Sequence, residues 1–130
     1  MKRVEIVAAI IMRDGMVLAA QRGFGDFMGG WEFPGGKIEK GESMEEALKR
    51  EIMEELVIQV KIDKHFDHVE YDYDNFHLTM DCFICNIMEG SITLKEHQNF
   101  RWLGLNDLDS VEWLPADLAT IDKLKIFIKQ

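Results

Sequence analysis

Glu51, Glu54 and Glu55 stand at i, i+3 and i+4 within the run Gly35–Ile58, GGKIEKGESMEEALKREIMEELVI. On a helix that spacing gathers three carboxylates around one point. Ser43 followed by Glu46 reads as a capping box, so the helix is predicted to start just after Ser43. At about 100° per residue, Met44, Leu48 and Ile52 fall in one apolar arc with Ala47 at its edge. Glu51 and Glu55 project into that arc, and Glu54 borders it beside Arg50. A solvated Glu-rich helix would instead carry its acids opposite the apolar stripe. Carboxylates left unpaired beside a core cost roughly several kcal/mol per ion. Arg50 is one arginine and cannot neutralise three acids. A divalent cation can, and hard cations such as Mg²⁺ take oxygen ligands. The geometry therefore predicts a metal site.

The elements that must position these acids follow from the rest of the chain. Its 130 residues, 47% hydrophobic and 30% charged, suit one domain with its own core, residues 1–130. Val4–Met12 is β-branched and apolar, hence a strand; Arg13-Asp14-Gly15 is a turn, and Met16–Ala20 returns. Arg22 closes that strand, either as a solvated end or as a phosphate contact. Gly23–Gly30, GFGDFMGG, is a glycine-rich loop. Trp31–Pro34 is a short extended piece, because Pro34 restricts Phe33. Gly35-Gly36 then lets the backbone pass close to a ligand, with Lys37 beside it. After the acidic helix, Ile58–Ile62 and Phe66–Tyr73 read as separate strands, His77–Ile87 as a central strand, and Ser91–Leu94 as a short extended piece. Lys95–Gln98 is a polar loop before Phe100–Leu103, Leu105–Val111 is a helical turn or loop, and Pro115 starts a final helix over Ala116–Lys129. That helix offers Leu118, Ile121, Leu124, Ile126 and Ile128 as apolar positions. Strands with helices at two places predict an α/β fold, a mixed β-sheet sandwiched between helices.

Charge and composition exclude some functions. The net charge of −9 argues against binding a nucleic-acid polymer, though not a small phosphorylated substrate. No run is apolar for long enough to span a membrane, and the N-terminus reads as a strand, not a signal peptide, so the chain is expected in the cytoplasm. Cys82 and Cys85 have C-x-x-C spacing, but residues three apart on a strand face opposite ways. Two core residues without a disulfide are expected. His65, His68, His77 and His97 show no metal-ligand spacing and read as structural or solvated.

The acidic run resembles the Nudix box, G-x5-E-x7-R-E-U-x-E-E-x-G-U with U aliphatic: Gly36, Glu42, Arg50, Glu51, Ile52, Glu54, Glu55 and Ile58 fit. Val57 stands where the box has Gly. A β-branched residue disfavours the left-handed conformation in which such a Gly ends a helix, which leaves the termination open. VEIVAAII, the AQR ending the second strand, WEFPGGKIE, the EHQ loop and PAD extend the resemblance over nearly the whole chain, toward the MutT-like branch of small nucleoside triphosphate pyrophosphohydrolases.

The resemblance implies an α/β/α sandwich and a set of roles. The Gly35 carbonyl and the carboxylates of Glu51, Glu54 and Glu55 would bind Mg²⁺, or Mn²⁺ in its place, with Glu96 as a further ligand from a later loop. Arg50 would orient the acids. Arg22 and Lys37 would contact phosphates, Phe33 would line the base pocket and Asp117 would read the base edge. A second basic phosphate contact of some relatives would fall near Phe76, where this chain has no cation. Glu51, with Glu96 second, would accept a proton from the water that attacks the β-phosphorus, or the α-phosphorus in some members, releasing a nucleoside monophosphate and pyrophosphate. The partner is a small nucleotide, bound by a monomer or homodimer. Alternatives are a hydrolase of another diphosphate derivative such as ADP-ribose, and a non-catalytic nucleotide-sensing domain.

Overall fold

The computed structural model describes residues 1–129. Its first strand decides the layering. Strand β1 (Lys2–Arg13) is buried on both faces from Val7 to Ile11, which is why that stretch is continuously apolar rather than alternating. Val7, Ala9 and Ile11 face one apolar cluster, and Ala8 and Ile10 face another. Asp14 and Gly15 both take positive φ, 52° and 76°, giving the hairpin turn into β2 (Met16–Arg22). β3 (Trp31–Glu32) pairs with β2, and β4 (Gly35–Lys37) pairs with β1. β5 (Gln59–Asp72) lies antiparallel to β6 (Phe76–Glu89), and β6 lies parallel to β1. β7 (His97–Leu103) pairs with β2. The sheet runs β3-β2-β1-β6-β5 and is mixed, as expected.

Helix α1 (Met44–Leu56) covers one face and α2 (Pro115–Lys129) the other. Leu48, Ile52 and Leu56 pack with Val7, Ala9 and Ile11; Ile121 and Leu124 pack with Ala8 and Ile10. Cys82 and Cys85 are free and buried on opposite faces of β6, one in each cluster. Burial pushes the Cys85 thiol up to about 12, which removes thiolate reactivity at neutral pH.

Several boundaries differ from the sequence reading. β5 is one strand, not two. Its polar middle, Asp63–His65, stays on the ladder through register shifts between Ile62 and Lys64 and between His65 and Asp67. Ser91–Leu94 is not a strand. That segment instead satisfies the open end of α1: the Thr93 N–H donates to the Leu56 carbonyl at 2.9 Å and the Lys95 N–H to the Glu55 carbonyl at 3.0 Å. On α2, Leu118 and Ile126 are 48% and 65% exposed, and the buried polar residues Asp117 and Thr120 take inward positions instead. Met44 is exposed as well. Among the described residues no helix is long and apolar enough to cross a membrane.

The two ends of α1 bear out one expectation and answer another. Ser43 Oγ accepts from the Glu46 N–H at 3.1 Å while Glu46 Oε1 accepts from the Ser43 N–H at 2.9 Å, the full capping box. At the other end Val57 itself adopts the left-handed conformation, φ 57° and ψ 42°, its N–H bonded to the Met53 carbonyl. The side chain is largely exposed, so little packing offsets a conformational cost of roughly 1–2 kcal/mol for a non-glycine residue. Val57→Gly is therefore expected to stabilise the chain by about 1 kcal/mol, raising Tm by about 3–5 °C in thermal unfolding.

Candidate active site

Burying the apolar stripe of α1 brings its acids with it. Glu55 is only 3% exposed. Desolvation, then the neighbouring Glu51 carboxyl and the charges of Glu96 and Glu32, push its carboxyl well above the usual carboxylate range. Its Oε2 is buried and has no hydrogen-bond partner. Arg50 ties the remaining acids together. Its Nε and Nη2 donate to Glu42 at 2.6 and 2.9 Å, Nη2 also donates to the Lys37 carbonyl at 3.0 Å, and Nη1 donates to Glu51 at 2.9 Å and Glu54 at 3.2 Å. This fork holds the Glu42 carboxyl below the usual carboxylate range. One arginine thus reaches Glu42, Glu51 and Glu54, and the acid it leaves over is Glu55. Among the described residues no three His, Cys, Asp or Glu are already drawn together as in a filled metal site.

The glycine pair leaves room at this point. A Cβ on Gly36 would meet the Glu51 carboxylate, and one on Gly35 would run into the Val7 carbonyl oxygen of the neighbouring strand. The unpartnered Glu55 Oε2, the clearance at Gly36 and the all-oxygen donor set together fit a hard divalent cation.

A cavity of about 930 Å³ opens from these acids. Glu51, Glu96, Gly35, Arg22, Lys37, Phe33 and Asp117 all line it. Phe33 is buried against Trp113, ring centroids 4.9 Å apart, and its N–H donates to Asp117 Oδ1 at 3.1 Å. Asp117 is 4% exposed, and burial raises its carboxyl to about 8 against the lowering effect of that N–H. Of the residues expected at the site, only Glu54 and Arg50 do not line this cavity or the next; Glu54 is largely exposed and paired to Arg50. A smaller, polar cavity of about 110 Å³ adjoins, lined by Glu55, Glu96, Glu32, Arg22, Gly35 and His97 among others.

Sequence reasoning missed three features here. An aromatic wall borders the large cavity: Tyr73 stacks on Phe76 at 5.0 Å, and Phe27 of the glycine-rich loop comes within 5.1 Å of Tyr73. Glu32 bonds both Arg22 and His97. His97 is buried between Glu32 and Glu55 rather than solvated. Its place beside Glu96 was the one available signal.

The chain matches the NUDIX domain family model over residues 1–126. It belongs to the Nudix family. It is similar to the CTP pyrophosphohydrolase of Escherichia coli, 34% identical over 123 residues (94% of this chain, 91% of that protein), and to the 8-oxo-dGTP diphosphatase of the same organism, 34% identical over 127 residues (96% and 98%). Its fold is similar to the crystal structure of the MutT NUDIX hydrolase from Burkholderia pseudomallei, with a TM-score of 0.87 at 25% identity over 95% of this chain and 99% of that one. These likenesses place the chain among the Nudix hydrolases.

Two outcomes follow for this Nudix site. Gly36→Ala should displace Glu51 with little loss of stability, whereas Gly35→Ala should cost about 3 kcal/mol because the obstacle is backbone; thermal unfolding separates the two. Asp117 keeps its proton in the folded state up to about 8 but loses it near 4 when unfolded. The folded state therefore binds more protons between those values, and stability falls as pH rises through that window. Asp117→Asn, which still accepts from the Phe33 N–H, should raise Tm more at pH 9 than at pH 4.

Proposed function

We propose that this Nudix hydrolase is a single cytoplasmic domain that cleaves a nucleoside triphosphate, modified or of the CTP type, to the nucleoside monophosphate and pyrophosphate. The observation that carries this reading is the continuity of one cavity. Glu51, Glu96 and Gly35 line it together with the Phe33–Asp117 pair. Its volume is in the range of small-molecule sites. The relatives named for CTP and 8-oxo-dGTP support the same substrate class.

Glu51, Glu54, Glu55, Glu96 and the Gly35 carbonyl would hold a divalent cation, Mg²⁺ or Mn²⁺. When bound, it supplies neutralisation of triphosphate charge and a more acidic bound water. The protein's own groups do the rest. Arg50 fixes Glu51 through one oxygen, Oε1, and leaves Oε2 beside Gly36 to accept the proton of the attacking water, with Glu96 the second candidate base. Arg22 and Lys37 meet phosphate oxygens on a surface whose net charge of −9 would otherwise repel them. Phe33 covers a face of the base. Asp117 reads its edge, donating to a base acceptor when protonated and accepting from an amino group when ionised.

Product analysis across CTP, dCTP, 5-methyl-dCTP, 8-oxo-dGTP and the other common triphosphates, read as pyrophosphate, and ADP-ribose, read as AMP, each with and without Mg²⁺, tests the reading. One triphosphate should turn over far faster than the rest, and only with metal. Glu51→Gln should lower kcat by about 10²–10⁴-fold while leaving nucleotide binding in place. Equal turnover by the Glu51→Gln protein, or hydrolysis of ADP-ribose alone, would overturn it. In H₂¹⁸O, attack at the β-phosphorus places the label in pyrophosphate.

A further inference from the structure

His97 is a buried polar side chain beside the acids for which the proposed chemistry has no task. It follows Glu96 on β7, and its side chain is 4% exposed. Its Nε2 lies 3.0 Å from Glu32 Oε2, whereas its Nδ1 lies 3.7 Å from Glu55 Oε1, too far for a hydrogen bond. A carboxylate only accepts, so Nε2 carries the proton and donates to Glu32. The other Glu32 oxygen, Oε1, accepts from Arg22 Nε at 3.0 Å. One carboxylate is thus held from both sides, by a buried imidazole and by the guanidinium that lines both cavities.

The backbone is shaped for this contact. The ladder between β2 and β7 shifts register between Gln21 and Arg22 and sets Arg22 opposite His97. The next residue must be small, because a Cβ on Gly23 would come within 2.7 Å of the Glu96 carbonyl oxygen. The Gln98 side chain also donates to the Arg22 carbonyl at 2.9 Å. Three strands therefore converge to fix one cation beside the acids.

We propose that His97 is a positioning residue that fixes the Glu32 carboxylate and, through it, aims the Arg22 guanidinium at the triphosphate. The proposal rests on the functional reading above, in which Arg22 meets phosphate. Arg22 is a long side chain, 40% exposed, and would lose rotamer freedom on binding phosphate. A partner already immobilised removes much of that loss before the substrate arrives. Glu32 alone is a weaker anchor, since its carboxylate turns freely about its last bond unless its second oxygen is held.

The test is calorimetric titration of inorganic tripolyphosphate with Mg²⁺ into the unaltered chain and into Arg22→Ala, His97→Ala, the double variant, His97→Gln and His97→Asn, with Tm recorded for each. His97→Ala should weaken binding about tenfold, as expected for loss of a hydrogen bond to a charged group. The double variant should bind no more weakly than Arg22→Ala alone. His97→Gln carries an N–H close to the Nε2 position and should restore affinity; His97→Asn reaches only the Nδ1 position and should not. KM for the preferred triphosphate should rise with kcat little changed. Additive losses in the double variant, equal behaviour of the Gln and Asn variants, or unchanged affinity in a folded His97→Ala protein would overturn the proposal while leaving the functional reading standing. An unaltered chain that neither binds tripolyphosphate nor releases pyrophosphate would overturn both.

Discussion

The arrangement depends on a conflict within one helix. The stripe Leu48-Ile52-Leu56 must be buried against Val7, Ala9 and Ile11, and Glu55 lies on the same side of the helix, so it goes under as well. Its Oε2 finds no donor among the described residues, and its carboxyl holds its proton far above the usual range. Neighbouring structure organises around that buried acid. Arg50 collects the other acids with the preceding loop, Gly36 clears space for Glu51, and the segment after β6 bonds back to the end of α1. That last contact, from the Lys95 N–H to the Glu55 carbonyl, also brings Glu96 and His97 to the same place.

The cavity wall combines two chemistries. Glu51 and Glu96 contribute carboxylates to it, and Arg22 and Lys37 contribute cations. An aromatic ring and one buried carboxyl belong to the same wall, fixed to each other by the Phe33 N–H that donates to Asp117. The two chemistries are coupled through charge: beyond burial and that N–H, Glu32 raises and Arg22 lowers the Asp117 carboxyl. Tyr73 and Phe76 add a second aromatic stretch.

The acidic end was legible because its signal is local. Capping box, helical wheel and glycine pair all lie within Gly35–Ile58, and spacing alone puts Glu51 and Glu55 on the buried side. The strands of β1, β2 and β6 were legible from their apolar runs. What was not legible depends on contacts between distant segments. No local pattern says that Ser91–Lys95 caps a helix that ended more than thirty residues earlier, or that His97 faces Glu32. β5 was read as two strands because exposed polar residues interrupt its pattern, while register shifts keep its ladder continuous. Leu118 and Ile126 are apolar by type yet exposed, because α2 turns Asp117 and Thr120 toward the sheet instead. At Val57 residue chemistry and position disagree, and the fold imposes the left-handed turn regardless.

The parallel pairing of β1 with β6 has a kinetic meaning. Residues 2–11 find their partners at residues 76–85, so the centre of the sheet closes only after most of the chain is available. Contacts of that sequence separation are slow to form, because chain entropy is lost before they return any stabilisation. Helix α1, with its own cap, can begin locally, yet its stripe Leu48-Ile52-Leu56 shares a cluster with Phe83 and Cys85 of β6, so the layer that seats the helix is complete only once β1 and β6 have paired.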